Sequence, residues 1–212
     1  MTQTEQEKFW SGEFGKEYTD RNSRDPKLWD KFYIENWGTT KSSINERLLG
    51  ELPREIKILE VGSNTGMQLK CFQEMGYKNL YGIEVQDYAV EKSKEYTQRI
   101  NIIQGSGFDL PFKDNYFDLV CTNGVLIHIH PKDHNKIMKE MVRCSKSLIM
   151  GFEYYAPETT DVNYRGNKGF LWKADFAKIF ETNFPNLREI RRDYYKYVEN
   201  ENIDYAYLLQ KN

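Results

Sequence analysis

The stretch Ile56-Lys-Ile-Leu-Glu-Val-Gly-Ser-Asn-Thr-Gly66 decides how the rest of the chain is read. Ile56, Ile58, Leu59 and Val61 are apolar and β-rich, with no clear solvated face. That is the pattern of a strand covered on both sides. Gly62 and Gly66 bracket a small-polar turn, and Met67–Met75 reads as a helix. Strand, glycine turn and helix in that order make the front half of a nucleotide-binding βαβ unit.

Downstream of this unit the chain keeps alternating. Asn79–Glu84 reads as a strand ending in an acid, and Asp87–Arg99 as a helix with Asp87 as its N-cap. Ile100–Gln104 and Phe117–Asn123 are further strands. Asp133–Cys144 is helical, and Ser147–Phe152 is a fifth strand. Lys173–Phe180 reads as a helix capped near Trp172. Leu187–Tyr197 and Asp204–Gln210 form two tail strands around a short turn at Glu199–Asn202. The alternation predicts a mostly parallel sheet with right-handed crossovers, and the tail predicts an antiparallel edge hairpin.

Upstream, Ser42–Leu52 is a helix that Pro53 stops. Lys27–Gly38 carries an aromatic cluster of Trp29, Phe32, Tyr33 and Trp37. Thr2–Asn22 is polar, with Trp10, Phe14 and Tyr18 at four-residue spacing. One aromatic-striped helix fits, weakened by Gly12 and Gly15. It is either a helix packed on the domain or a lid over a pocket.

The chain has 212 residues and a formal net charge of −2, which suits one domain with a core of its own. That charge gives no pull toward nucleic acid or an anionic membrane, and no basic stripe is present. Cys71, Cys121 and Cys144 form no close pair and read as buried free thiols. No charged leader or apolar run of spanning length stands in the sequence, so a cytoplasmic location is expected.

Ligands of open α/β sheets sit beyond the carboxyl ends of the strands. Collected there are Glu60–Gly66, Glu84, Gly105-Ser-Gly-Phe-Asp-Leu-Pro-Phe112 and Asn123-Gly-Val-Leu-Ile-His-Ile-His-Pro131. An acid such as Glu84 takes two hydrogen bonds from a ribose diol. The turn lacks the G-x-G-x-x-G spacing and any basic residue, so it suits an amino-acid-bearing nucleoside better than a pyrophosphate. That description fits S-adenosylmethionine (SAM).

Glu60–Gly66, Gly82–Glu84, Gly105–Phe112 and Phe117–Ile129 together resemble the successive motifs of class I SAM-dependent methyltransferases. The resemblance covers about residues 45–152. It implies an α/β, Rossmann-like fold: a mostly parallel seven-stranded sheet, an antiparallel C-terminal hairpin and helices on both faces. It divides a single domain, 1–212, into an N-terminal aromatic cap (1–41), a SAM-binding core (42–152) and an acceptor-facing loop with the hairpin (153–212). The segments Phe9–Asn22, Asn123–Ile129, Tyr164–Gly166 and Leu171–Trp172 resemble the methylases associated with pseudaminic acid biosynthesis. This implies a sugar or nucleotide-sugar related acceptor.

By the same resemblance Gly62, Ser63, Asn64 and Gly66 line the methionine end of SAM, and Glu84 holds the ribose. Val85, Ser106, Gly107 and Phe108 surround the adenine, and Asn123 lies below the sulfonium. Tyr18 and Arg21 close over SAM, Arg21 toward its carboxylate. Two departures stand out. Asn64 replaces a usual glycine. Ser106 stands where an acid often binds the adenine amino group, which passes that contact to Asp109 or to backbone.

For an oxygen acceptor a general base helps remove the proton. His128 is the first candidate, ahead of His130 and His134; its alternative is to orient backbone around the cofactor. A zinc site on His128 and His130 lacks further ligands, so no metal is expected. Glu153, Tyr154, Tyr155 and Arg165 are expected to bind the acceptor, Arg165 through a carboxylate or phosphate. The reading is a SAM-dependent methyltransferase of a small molecule, releasing S-adenosylhomocysteine (SAH). Its rivals are an N-methyltransferase of an amino sugar or other amine, and a non-catalytic SAM- or nucleoside-binding module. The sequence defines no oligomeric state.

Overall fold

The computed structural model describes residues 3–22 and 25–212. Residues 1–2 of the expected cap therefore lie outside the described part, as do residues 23–24.

The strand pattern becomes one seven-stranded sheet of order β3-β2-β1-β4-β5-β9-β8. Its strands are β1 (Lys57–Val61), β2 (Asn79–Glu84), β3 (Asn101–Gln104), β4 (Phe117–Asn123), β5 (Ser145–Tyr154), β8 (Leu187–Lys196) and β9 (Ile203–Lys211). The pairs among β1 to β5 are parallel, and β9 runs antiparallel to both β5 and β8. A small separate ribbon joins β6 (Thr160–Asp161) to β7 (Trp172–Lys173). β1 pairs with β2 on one side and β4 on the other, so the order reverses at β1 and opens a crevice above its end.

Two apolar layers hold the sheet. One face packs Val61, Val120, Phe176 and Phe180 with Ile137, Met138 and Met141 of α7 (His134–Cys144). The other packs Ile58, Leu119 and Met150 with Ile44, Leu48, Leu69 and Phe72. These come from α4 (Lys41–Leu49) and α5 (Met67–Glu74). Each such fully buried side chain contributes about 1.5–3 kcal/mol of transfer free energy. Cys71, Cys121 and Cys144 are buried free thiols, the last two within these layers.

The structure departs from the sequence reading at several ends. The single N-terminal helix is two, α1 (Glu5–Ser11) and α2 (Glu13–Arg21), broken at an extended Gly12. A Thr4–Glu7 capping box starts α1. The aromatic cluster forms α3 (Pro26–Trp37), closed by Gly38 in the left-handed region. The helix after β2, α6 (Asp87–Tyr96), is capped by Gln86 rather than Asp87. The expected helix from Lys173 begins later, as α8 (Phe176–Asn183), capped by Asp175. Trp172 and Lys173 are instead held in the β6–β7 ribbon. Among the described residues, no helix is long and apolar enough to cross a membrane.

Candidate functional site

A cavity of about 670 Å³ opens above the carboxyl ends of β1, β2, β4 and β5. That size suits a nucleoside-sized ligand with room for a second small molecule. The turn after β1 forms its floor. Gly62 has φ 73°, and a Cβ there would sit 2.7 Å from Val125. Asn64 is also left-handed, at φ 47°, a conformation that Asn tolerates better than most side chains. This is why Asn can stand where glycine is usual. Gly66, also left-handed, is the N-cap of α5; it lies behind the floor, against Ile102 and Thr97, and does not line the cavity.

Glu84 sits at the end of β2, 7% exposed. Its carboxylate accepts from the backbone N–H of Asn64 at 2.8 Å and of Gln86 at 2.9 Å. Burial pushes its pKa up, opposed by these backbone donors. Glu84 therefore shapes the turn and presents its remaining lone pairs to the cavity. Beside it, Glu60 Oε2 and Ser63 Oγ are buried with no hydrogen-bond partner among the described residues. Ser63 Oγ lies against Gly82 of β2, whereas an orphaned carboxylate oxygen such as that of Glu60 in a cavity wall marks where a polar ligand completes the bonding. Val85, Gly107, Phe108 and Asn123 also line it.

Ser106 does not line the cavity. It accepts from Phe108 N–H, and its hydroxyl donates to Glu7 Oε1. Asp109 is exposed and away from the wall. The acid at this end comes from α1: Glu7 lines the cavity. Nothing in the chain's local pattern signals it beyond the capping-box spacing.

α1 and α2 form one side of the cavity. Trp10, Gly15, Tyr18 and Arg21 all line it. The Arg21 guanidinium lies over the rings of Tyr18 and Phe14, at 5.1 and 5.5 Å. The two helices are tied to opposite rims. Gln6 donates to Gly169 O, and Phe9 packs on Phe170 with ring centres 4.3 Å apart. On the other side Gln86 donates to Trp10 O and Gly12 O, Asn64 to Thr19 Oγ1, and Tyr88 to Asp20.

His128 follows β4 in a short 3-10 turn, Leu126–His128. Its ring lies between Trp10 and Tyr164, with centres 4.5 and 4.9 Å away. Nδ1 is 2.7 Å from Phe170 O, so that nitrogen carries the proton and Nε2 holds the lone pair. Burial lowers its pKa to about 4. A neutral imidazole of such low basicity is a hydrogen-bond acceptor more than a proton store. His130 packs on Trp172 outside the cavity wall. His134 is buried against Phe176, its Nε2 at 2.9 Å from Ile129 O. Among the described residues no three His, Cys, Asp or Glu side chains converge to hold a metal.

Glu153 reaches the cavity, but its oxygens accept the backbone N–H groups of Val125, Leu126 and Ile127. It caps the turn that carries His128. Burial raises its pKa to about 7 against those bonds. Tyr154 and the exposed Arg165 line the cavity, Arg165 at φ 49°. Tyr155 does not; it packs on Tyr194 and Tyr205. Besides Glu7, three contributors went unassigned in the sequence. Lys41 is wholly buried under the cavity, its Nζ 2.5 Å from Asn123 Oδ1 and 4.2 Å from the Phe152 ring, and burial lowers its pKa to about 8. Asp204 on β9 and the aromatic face of α3 form the far wall.

Residues 59–148, less than half of the chain, match the family model described as a methyltransferase domain. No curated protein matches. The PH0226 protein of Pyrococcus horikoshii is similar in structure, with TM-score 0.70 and 13% identity, over 92% of this chain and 99% of that one. A Burkholderia thailandensis 1,6-didemethyltoxoflavin-N1-methyltransferase, solved with 1,6-didemethyltoxoflavin and SAH, superposes with TM-score 0.65 and 13% identity, over 81% and 76%. The cyclase SpnF does so at TM-score 0.61 and 13% identity, over 80% and 79%. At such identities the superpositions speak for the fold, and one fold carries several chemistries.

Proposed function

We propose that this methyltransferase, with SAM as its cofactor, acts on a small molecule bound beside the methyl donor in the cavity. The enzyme class and the cofactor rest on the matched methyltransferase domain. The observation that carries the rest is the wall itself: a buried carboxylate at Glu84, an orphaned oxygen at Glu60, and a helical cover. These fit an amino-acid-bearing nucleoside.

In this reading Gly62, Ser63 and Asn64 receive the methionine end, and Glu84 the ribose diol. Val85, Gly107 and Phe108 flank the adenine, and Glu7 takes the place of the missing acid at Ser106. Asn123, held by Lys41, lies under the sulfonium. Tyr18 and Arg21 close the donor from the N-terminal side. The cap, core and hairpin act as a single domain over residues 1–212.

When bound, SAM supplies a methyl group on an already activated sulfonium. The chain's own contribution is positioning and exclusion of water. His128 Nε2 accepts a hydrogen bond from the acceptor and orients it. A cavity of this size under a two-helix cover suits a small acceptor. The resemblance of Phe9–Asn22 and Asn123–Ile129 to sugar-associated methylases supports a sugar or nucleotide-sugar related one. Arg165 at the mouth suits a carboxylate or phosphate on it.

The test is incubation with methyl-labelled SAM and a panel of nucleotide sugars, amino sugars and amines, read by mass spectrometry. Labelled product with any of them supports the reading. SAH binding with no transfer to any small molecule overturns it in favour of a binding module.

A further inference from the structure

The cavity continues past the donor residues to a wall built from α3 and the β8–β9 hairpin. Aromatic rings line this end. Trp37 and Tyr197 lie with centres 4.8 Å apart, and Tyr154 stacks on Tyr197 at 5.5 Å. Among these rings stands one carboxylate. Asp204 is 6% exposed, and its Oδ2 accepts from Tyr197 OH at 3.1 Å. Its Oδ1 is buried with no hydrogen-bond partner among the described residues.

The charged groups around Asp204 leave this oxygen unanswered. Lys41 reaches it electrostatically from α4, but its Nζ is bonded to Asn123 Oδ1. Lys173 approaches from β7, its Nζ 5.1 Å over the Tyr154 ring, and donates to Asn202 Oδ1 rather than to Asp204. Glu153 from β5 adds a like charge, and its own oxygens are bonded to backbone N–H groups. A carboxylate held out of water without a partner is costly, and a bound cation removes that cost. Aromatic faces attract the same ligand through their quadrupoles. A hydroxyl offers Asp204 one hydrogen bond; an ammonium offers a charge-assisted bond and a cation for the rings.

We propose that Asp204, with Trp37, Tyr154 and Tyr197, forms a subsite for an ammonium group on the acceptor, so that the substrates of this methyltransferase are small amines or amino-bearing molecules. The proposal rests on the reading of the cavity as a donor-plus-acceptor site. It deepens that reading by naming the acceptor's chemistry. Arg165 lines the same cavity and suits an anionic group on the same molecule.

Calorimetry on SAH-saturated protein tests it with matched pairs: glucosamine against glucose, and 2-phenylethylamine against 2-phenylethanol. The expected result is at least tenfold tighter binding of an amine than of its hydroxyl partner. Asp204→Asn should bring that ratio below threefold with the SAH affinity unchanged. Equal binding of amine and alcohol by the wild type overturns the proposal, as does binding of neither amine. A preference that survives in a SAH-binding Asp204→Asn protein also overturns it. The wild-type ratio decides alone if the variant fails to fold. Failure of SAH itself to bind the wild type is a separate outcome, and defeats the donor site instead.

Discussion

Replacing Glu84 separates the shaping of the turn from the holding of a ligand. In the free protein its carboxylate accepts two backbone N–H groups, from Asn64 and Gln86. In Glu84→Ala those donors face a cavity that water enters, so each lost bond costs only about 1 kcal/mol net. The ligand loses more. In the proposed placement a ribose diol donates two hydrogen bonds to the carboxylate, each worth about 1.5–3 kcal/mol when one partner is charged. The sum is about 3–6 kcal/mol, or a loss of affinity of roughly 10²- to 10⁴-fold. Glu84→Gln keeps one acceptor oxygen and should lose about one such bond. Titration calorimetry with SAH reads the affinity, and thermal melting reports the fold. A 2′,3′-dideoxy analogue of SAH sharpens the result: it should bind more weakly than SAH to the wild type and equally with it to Glu84→Ala. A well-folded Glu84→Ala protein whose Kd for SAH stays within threefold of wild type refutes the placement of the ribose. Since burial raises the Glu84 pKa, SAH affinity should also fall as pH drops through that raised value, and this dependence should vanish in Glu84→Gln.

His128 is neutral well below pH 6.5, because burial lowers its pKa to about 4. The pH–rate profile should therefore show no limb near pH 6.5 that disappears in His128→Gln; kcat in that variant should fall about tenfold or less, and a larger loss with such a limb would restore the general-base role. Removing residues 1–22 should speed SAH dissociation at least about tenfold and cut turnover; unchanged kinetics would make α1 and α2 mere packing. Asp204 has its pKa raised by burial from 3.8 to about 7, so its protonated form favours folding, and that contribution is lost as pH rises from about 4 to about 7. Asp204→Asn should consequently raise the melting temperature by at least about 3 °C at pH 8 and leave it unchanged at pH 4; an equal effect at both pH values would refute this. Gly62→Ala meets Val125 and a left-handed φ, and should lower stability by about 1–3 kcal/mol, read by urea denaturation.

The core of this fold is legible because its signals are local. β1, β2 and β4 are short apolar runs bounded by turn residues, and two of them end at their expected residues, Glu84 and Asn123. The errors arise where distant pairing overrides local pattern. Lys173 looks helical alone, with Trp172 as its cap, but the chain at Thr160–Asp161 claims both as strand. In the site, Gly62–Asn64, Glu84, Gly107, Phe108 and Asn123 were visible because topology brings the ends of the strands together, while Ser106 and Tyr155 turn away to other partners. Glu7, Lys41 and Asp204 were not. Each enters the site across more than 80 residues of chain, to Ser106, Asn123 and the α3 wall, and no spacing announces such a meeting. Glu153 shows the converse: an acid in the expected place, whose oxygens the backbone of the next loop has already taken.

The double fastening of α1 and α2 has a temporal consequence. Hydrogen bonds tie the pair to Gly169 on one bank and to Asn64, Gln86, Tyr88 and Ser106 on the other. At about 0.5–1.5 kcal/mol net for each bond, full release costs several kcal/mol, so the open form is about a hundredth of the population or less. With the donor held as proposed, departing SAH waits for that form, and the two helices act as an escapement on its release.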